Sequence, residues 1–333
     1  MLVAGSALAK DLKVVTSIKP VHSLTAAVME GAGQPQLIVK GGASPHSTSL
    51  RPSEAAALEQ ADVVIWIGEG LETFLTSPLE ALAKNAKVVE LGEAPGLTRL
   101  PYRAGGAWDG HEHEEHGHEA HGHEEHAHEE HAHDEHGHQE HAAQADHEDA
   151  KHHEEEHHHG GIDQHFWLDP LNATAMVEAI AAALIEADPE NSDLYADNAQ
   201  RLAMRIESLT AEISAQLAPV KEVPFVVFHD AYQYLDRRFG LANVGSVTVD
   251  PEQQPGAQRL KEIQAKIGEL NARCVFAEPQ FEPKLIAVVI EGTAAKTGTL
   301  DPIGADIPDG PELYFELLRS NAAALKACLG EAS

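Results

Sequence analysis

Short runs of β-branched and aromatic residues alternate along the chain with longer stretches whose apolar positions recur at helical spacing. DLKVVTSI (11–18), QLIVK (36–40), DVVIWIG (62–68) and AKVVEL (86–91) read as strands. Between them, HSLTAAVME (22–30), RPSEAAALEQ (51–60, with Pro52 in its first turn) and LETFLTSPLEALAK (71–84) read as helices. This alternation predicts parallel βαβ units. After a Pro/Gly-rich stretch (95–110) and a biased segment, NATAMVEAIAAALIEA (172–187) reads as another helix. The pattern then repeats as VPFVVF, AYQYLDRRFG, ANVGSVTV, GAQRLKEIQAKIGEL, RCVFAEP, KLIAVVIEGTAAK, TGTL and PELYFELLRSNAAALKACL.

One stretch breaks the rhythm. Residues 189–219 contain no internal Pro or Gly, and Leu194, Leu202, Ile206, Leu209, Ile213 and Leu217 recur mostly at spacings of three, four or eight. A helix of that length spans roughly 40 Å, the width of a domain. Its apolar seam is too irregular to sustain heptads, so it predicts a stiff connector and not a coiled-coil dimer. The expected fold class is α/β, with two (β/α) lobes joined by one long rigid helix and the ligand cleft between the lobes. The divisions are a signal-peptide remnant (1–9), an N-terminal lobe (10–188), a linker helix (189–218) and a C-terminal lobe (219–333).

Composition changes this picture in one place. Residues 111–159 hold 19 of the 23 histidines and 17 carboxylates against the single Lys151, about half of the formal net charge of −31. With so few apolar residues the segment cannot offset the entropy of folding, and it reads as a disordered insertion in the N-terminal lobe. The remaining 284 residues have ordinary globular composition, enough for two domains. Their acidic balance argues against nucleic-acid binding. No apolar run approaches the roughly 18 residues of a membrane span, so no direct membrane insertion is expected. The start, MLVAGSALAKDLKVV, has a short apolar run ending in Ala7-Leu8-Ala9, an A-x-A pattern without a basic n-region, which points to export. The two cysteines, Cys274 and Cys328, fit a disulfide in an oxidising compartment.

Four histidines lie outside the insertion: His22, His46, His165 and His229. His22 opens a helix and reads as a structural residue. His46 lies in the loop GGASPHSTS, His165 directly precedes FWLDP, and His229 ends the apolar strand PFVVFHD. Asp301 follows TGTL at another strand end. Ligands in open α/β sheets gather beyond the carboxyl ends of strands. Three imidazoles completed by a carboxylate or a water suit zinc, whereas manganese prefers more oxygen. Such distant residues converge only through tertiary folding.

GASPHSTSLRPSE, HFWLDP, FHDAYQY, PGAQRL, CVFAEPQF and GTLDPIG, in this order from about residue 12 to Cys328, resemble the zinc-uptake solute-binding proteins of bacterial ABC transporters, the ZnuA type within the cluster A-I metal-binding family. The resemblance implies one high-affinity Zn2+ in the interlobe cleft, a periplasmic location and delivery to an inner-membrane permease; the chain itself is expected to be a monomer. It implies His46, His165 and His229 as ligands. Asp301 matches the acidic position used by manganese-binding relatives, which carry a carboxylate where this chain has His229. The Cys274–Cys328 pair matches a disulfide of this branch. Some relatives place a glutamate directly before the loop histidine, where this chain has Pro45; the fourth ligand is then water or, second, Asp301.

Within the insertion, His111, His113, His116, His118, His121, His123, His126, His128, His131, His133, His136 and His138 offer many low-affinity zinc arrangements, each of which must be ordered on binding. Tethering keeps captured zinc concentrated beside the cleft, so the insertion is expected to scavenge or buffer zinc. The rival for that segment is a solvated acidic tether. The rival function is a zinc-dependent hydrolase, with Glu278 as its best spare general base, although no H-E-x-x-H, G-x-S-x-G or phosphate loop occurs. A manganese-binding or adhesin-type relative and a metal buffer without a transporter are further alternatives. The chain is not expected to be an enzyme.

Overall fold

The computed structural model describes residues 12–103, 161–248, 251, 255–281 and 284–330. The expected leader (1–9) and the histidine-rich segment (111–159) lie outside the described residues.

Two parallel four-stranded sheets are built on the same plan. The first contains β1 (Val14–Thr16), β2 (Gln36–Leu37), β3 (Val63–Trp66) and β4 (Lys87–Glu90) in the order β2-β1-β3-β4. Its register pairs Val15 with Gln36 on one side and with Val64 on the other, and Val64 with Val88. Helices α1 (Lys19–Val28), α2 (Pro52–Gln60) and α3 (Thr73–Leu82) make the crossovers. The second sheet contains β5 (Phe225–His229), β6 (Asn243–Thr248), β7 (Cys274–Ala277) and β8 (Lys296–Thr299) in the order β6-β5-β7-β8. Its crossovers are α6 (Gln233–Phe239), α7 (Ala257–Glu269) and α8 (Lys284–Ile290), and α9 (Leu313–Gly330) closes the chain. Between the halves run α4 (Pro170–Ala187) and α5 (Ser192–Leu217).

Strand alternation decides what each face of the second sheet meets. Phe225 and Val227 of β5, with Cys274 and Phe276 of β7, join a core that continues through α9, α5 and α4 to the first sheet. Val226, Phe228 and Val275 point the other way and pack with Ile263, Ile267, Ile286 and Val289 from α7 and α8. One apolar interior therefore runs through both lobes.

Helix α5 is the long helix expected between the lobes, and it packs along its length. Leu202, Ile206, Leu209, Ile213 and Leu217 are buried as the spacing predicts, but Leu194 is only half-buried, and Tyr195 and Asn198 are buried instead. Asn198 Nδ2 donates to the carbonyls of Val28 and Glu30 at 2.8 and 2.9 Å, satisfying acceptors at the end of α1. The helix lies against the body of the molecule. A second departure concerns α4: by length and composition it is apolar enough to cross a membrane, contrary to the reading that no run approached that limit. Half of it is buried, as in the core helix of a globular lobe. Asp169 caps it by accepting from Leu171 N at 2.9 Å, with Pro170 in the first turn.

Side chains also tie the lobes directly. Arg238 of α6 pairs bidentately with Asp169 at 2.6 and 2.7 Å. Lys19 donates to the carbonyls of Ala305 and Ile307 at 3.1 and 2.7 Å. Arg103 engages both Asp230 and Asp236. Trp167 Nε1 donates to Pro302 O at 2.7 Å, and Tyr314 Oη donates to Trp167 O at 2.9 Å.

Cys274 and Cys328 are joined, with Cα atoms 6.3 Å apart, linking β7 to α9 across 54 residues. The loop-entropy relation gives about 4 kcal/mol for a closure of that length. The double variant C274S/C328S should therefore lose up to about 4 kcal/mol in denaturant unfolding. An unchanged midpoint would show that the bridge does not limit the unfolded chain.

Candidate metal centre

His229 ends β5 and Glu278 lies just past β7, so the two bracket the point where the second sheet reverses its strand order. Side chains leaving the carboxyl ends of two such strands converge in one crevice. Glu278 Oε1 lies 2.7 Å from His229 Nδ1, and both residues are buried. A carboxylate only accepts, so the Nδ1 facing it carries the proton and the lone pair is left on Nε2.

His165 is held in the same way by a separate device. It precedes the 3-10 turn Phe166–Leu168, and Asp163 Oδ1 receives both its backbone N–H (3.0 Å) and its Nδ1 (2.7 Å). Asp163 is itself fixed: its N–H donates to Leu100 O at 2.9 Å, and its carbonyl accepts from Tyr234 Oη at 2.7 Å. The two Nε2 atoms consequently face each other at 3.4 Å. Nitrogen ligands of a tetrahedral zinc with bonds of about 2.0–2.1 Å stand about 3.3–3.4 Å apart. Two lone pairs at that distance repel unless a cation or a proton lies between them.

His46 completes the group from the turn after β2, in front of the buried Pro45. Its ring centroid lies 5.5 Å from that of His165 and 5.9 Å from that of His229. One ligand atom from each of His46, His165 and His229 lies within 4.8 Å of the others. The cavity they line, with Trp167, Gln280 and Ile303 among its walls, has about 10 Å³ of space for the centre of a water-sized sphere. That is about the least that holds one water.

Burial, then the two neighbouring imidazoles, hold the His46 pKa down at about 2. His46 is thus neutral and ready to ligate over the whole physiological range. Burial pushes His229 down too, but the charge and hydrogen bond of Glu278 outweigh it and leave His229 above its ordinary value.

Of the residues named from the sequence, the structure gathers His46, His165 and His229 and leaves out two. His22 is buried in α1 with Nε2 3.2 Å from Pro35 O, and burial lowers its pKa. Asp301, expected as a candidate fourth ligand, does not join the group. Its Oδ1 accepts from Gln280 Nε2, Ile303 N and Gly304 N at 2.8, 3.0 and 2.9 Å, and its Oδ2 from Ala305 N at 2.5 Å. The carboxylate is engaged by the turn that follows it. Sequence reasoning passed over Asp163, for which the only signal is an acid two residues before a candidate ligand, and weighed Glu278 as a general base or, in preference, a structural salt-bridge partner, without linking it to His229. The insertion histidines, His111 to His138, lie outside the described residues.

The family described as zinc-uptake complex component A, periplasmic (ZnuA), matches residues 14–328. The high-affinity zinc uptake system protein ZnuA of Brucella suis is 52% identical over 328 residues, covering 98% of this chain and 95% of that one. The ZnuA protein of Paracoccus denitrificans is 44% identical, covering 96% and 92%. Among solved structures, a mutant of the laminin-binding adhesin of Streptococcus agalactiae superposes with a TM-score of 0.71 at 27% identity, covering 96% of this chain and 99% of that one.

Removing an outer-shell partner of a metal-bound histidine typically costs 10–100-fold in affinity, so D163N and E278Q should each weaken zinc binding by roughly that factor. The raised His229 pKa sets the pH window. Zinc binding should weaken as the pH falls, starting above the ordinary imidazole range, by up to about tenfold per unit for the one proton that His229 takes up. E278Q should move the onset of that fall to lower pH. Wild-type affinity and pH profile in both variants would show that the carboxylates do not set the imidazoles.

Proposed function

The chain belongs to the ZnuA family of zinc-uptake components, and from that premise we propose that it captures Zn2+ in the periplasm and delivers it to the inner-membrane permease of an ABC transporter. The observation that carries this reading is the group of three imidazoles, two of them locked by carboxylates so that their Nε2 lone pairs meet 3.4 Å apart. Neutral nitrogen donors at that spacing favour zinc over manganese. The narrow cavity that the three imidazoles line suits an ion as cargo. Glu278 is spent on His229 and is not poised as a general base. The Cys274–Cys328 disulfide fits an oxidising compartment.

Asp301, on this reading, supports the cleft wall and is not a zinc ligand. The histidine-rich segment 111–159 collects zinc at low affinity and, tethered to the same chain, raises its local concentration. Residues 189–218 act as the stiff connection between lobes 10–188 and 219–333, and the continuous interior restricts the lobes to small movements. The carrier works as a monomer.

Each of H46A, H165A and H229A should lower zinc affinity by more than the roughly 100-fold expected from an outer-shell loss. In cells that hold the cognate permease but lack this protein, the wild-type gene should restore growth under zinc chelation, and H165A should not. Variants that bind and restore growth like the wild type would overturn the proposal, as would zinc-dependent turnover of ester or phosphate substrates.

A further inference from the structure

Three histidines leave the zinc shell one ligand short, and the residue with the expected acid is occupied elsewhere. The rest of the cavity wall includes Gln280, Phe281, Pro302 and Ile303. Gln280 differs from its neighbours in carrying both a donor and an acceptor on one rigid amide. Its Nε2 donates to Asp301 Oδ1 at 2.8 Å. Asp301 is in turn pinned by the N–H groups of Ile303, Gly304 and Ala305, and its own N–H donates to Asn321 Oδ1 at 2.9 Å. A carboxylate accepts only, so the amide cannot be reversed: its NH2 end faces Asp301 and its oxygen faces away. That oxygen, Oε1, is buried and has no hydrogen-bond partner among the described residues. A buried carbonyl oxygen without a donor is unfavourable until a cation or a water reaches it. Gln280 lines the same cavity as His46, His165 and His229, where the three imidazoles attract a cation, so a cation held there is the body that can satisfy this oxygen.

We infer that Gln280 supplies the fourth, oxygen ligand of the cleft zinc through Oε1, with Asp301 as the residue that positions it. This rests on the reading of His46, His165 and His229 as the zinc site. Gln280 then takes the place that water or Asp301 was expected to fill. The complete shell is three imidazoles and one amide oxygen, all neutral, with Asp163, Glu278 and Asp301 each one hydrogen bond further out.

The test uses the full chain loaded with less than one equivalent of Co2+ in place of Zn2+, its visible spectrum recorded with and without azide. A filled shell leaves the wild-type spectrum unchanged by azide, whereas Q280A opens a position and its spectrum shifts. Zinc competition against a chelator should show Q280A about 10-fold weaker than wild type, a change of about 1.4 kcal/mol. H165A serves as the control for the site itself. A wild-type spectrum that responds to azide would overturn the assignment without recourse to any variant. So would Q280A with wild-type zinc affinity while H165A is impaired. Wild-type affinity in H165A would instead remove the three-histidine site on which the inference stands.

Discussion

Two carboxylate–imidazole pairs govern this molecule: Asp163 with His165, and Glu278 with His229, each at 2.7 Å. Each pair fixes a ring in one orientation and one tautomer, which a free histidine side chain does not have. Without them the two Nε2 lone pairs would not be held 3.4 Å apart, where they repel each other and attract a cation. The folded protein holds the two nitrogens at that spacing because both pairs are buried and separately anchored, Asp163 through Leu100 and Tyr234 and Glu278 at the end of β7. The ordering needed to assemble a zinc shell is thus completed during folding and not during binding.

The rest of the architecture keeps the pairs in register across the cleft. His165 belongs to the first half of the chain and His229 to the second, so the site exists only while the lobes keep their spacing. An apolar interior continuous through α4, α5 and α9 resists wide separation. Trp167, which follows His165 by two residues, reaches Pro302 on the other lobe and is held by Tyr314, so the wall beside the ligands is itself an interlobe contact. On the proposed reading, a neutral ligand set backed by anions at one remove suits a carrier: charge compensation is present, yet no anion has to release the ion directly.

Much of this was legible in the sequence, because strand-end positions and helical spacing are local properties. β-branched runs marked the strands, Pro52 marked the start of α2, and His46, His165 and His229 stood out as the non-insertion histidines in loops or at strand ends. Asp301 was legible as an acid at a strand end, but the claim of the Ile303, Gly304 and Ala305 N–H groups on its oxygens depends on how the backbone turns after it. Asn198 lies off the apolar spacing of α5 and carried no signal in the sequence, whereas folding turns it toward the carbonyls at the end of α1. Gln280 was one polar residue in CVFAEPQF until Asp301 was seen to hold its amide. Residues whose role is set by their own strand could be read; residues whose role is set by a distant backbone could not.

The most direct measurement is a chelator-competition zinc titration of the chain lacking residues 111–159, with Mn2+ in parallel. The account predicts one zinc site within about threefold of the full chain's affinity, and manganese weaker by at least about 100-fold, because the shell is nitrogen-rich and already in place. Loss of tight zinc binding together with that segment would contradict it and move the working site out of the cleft.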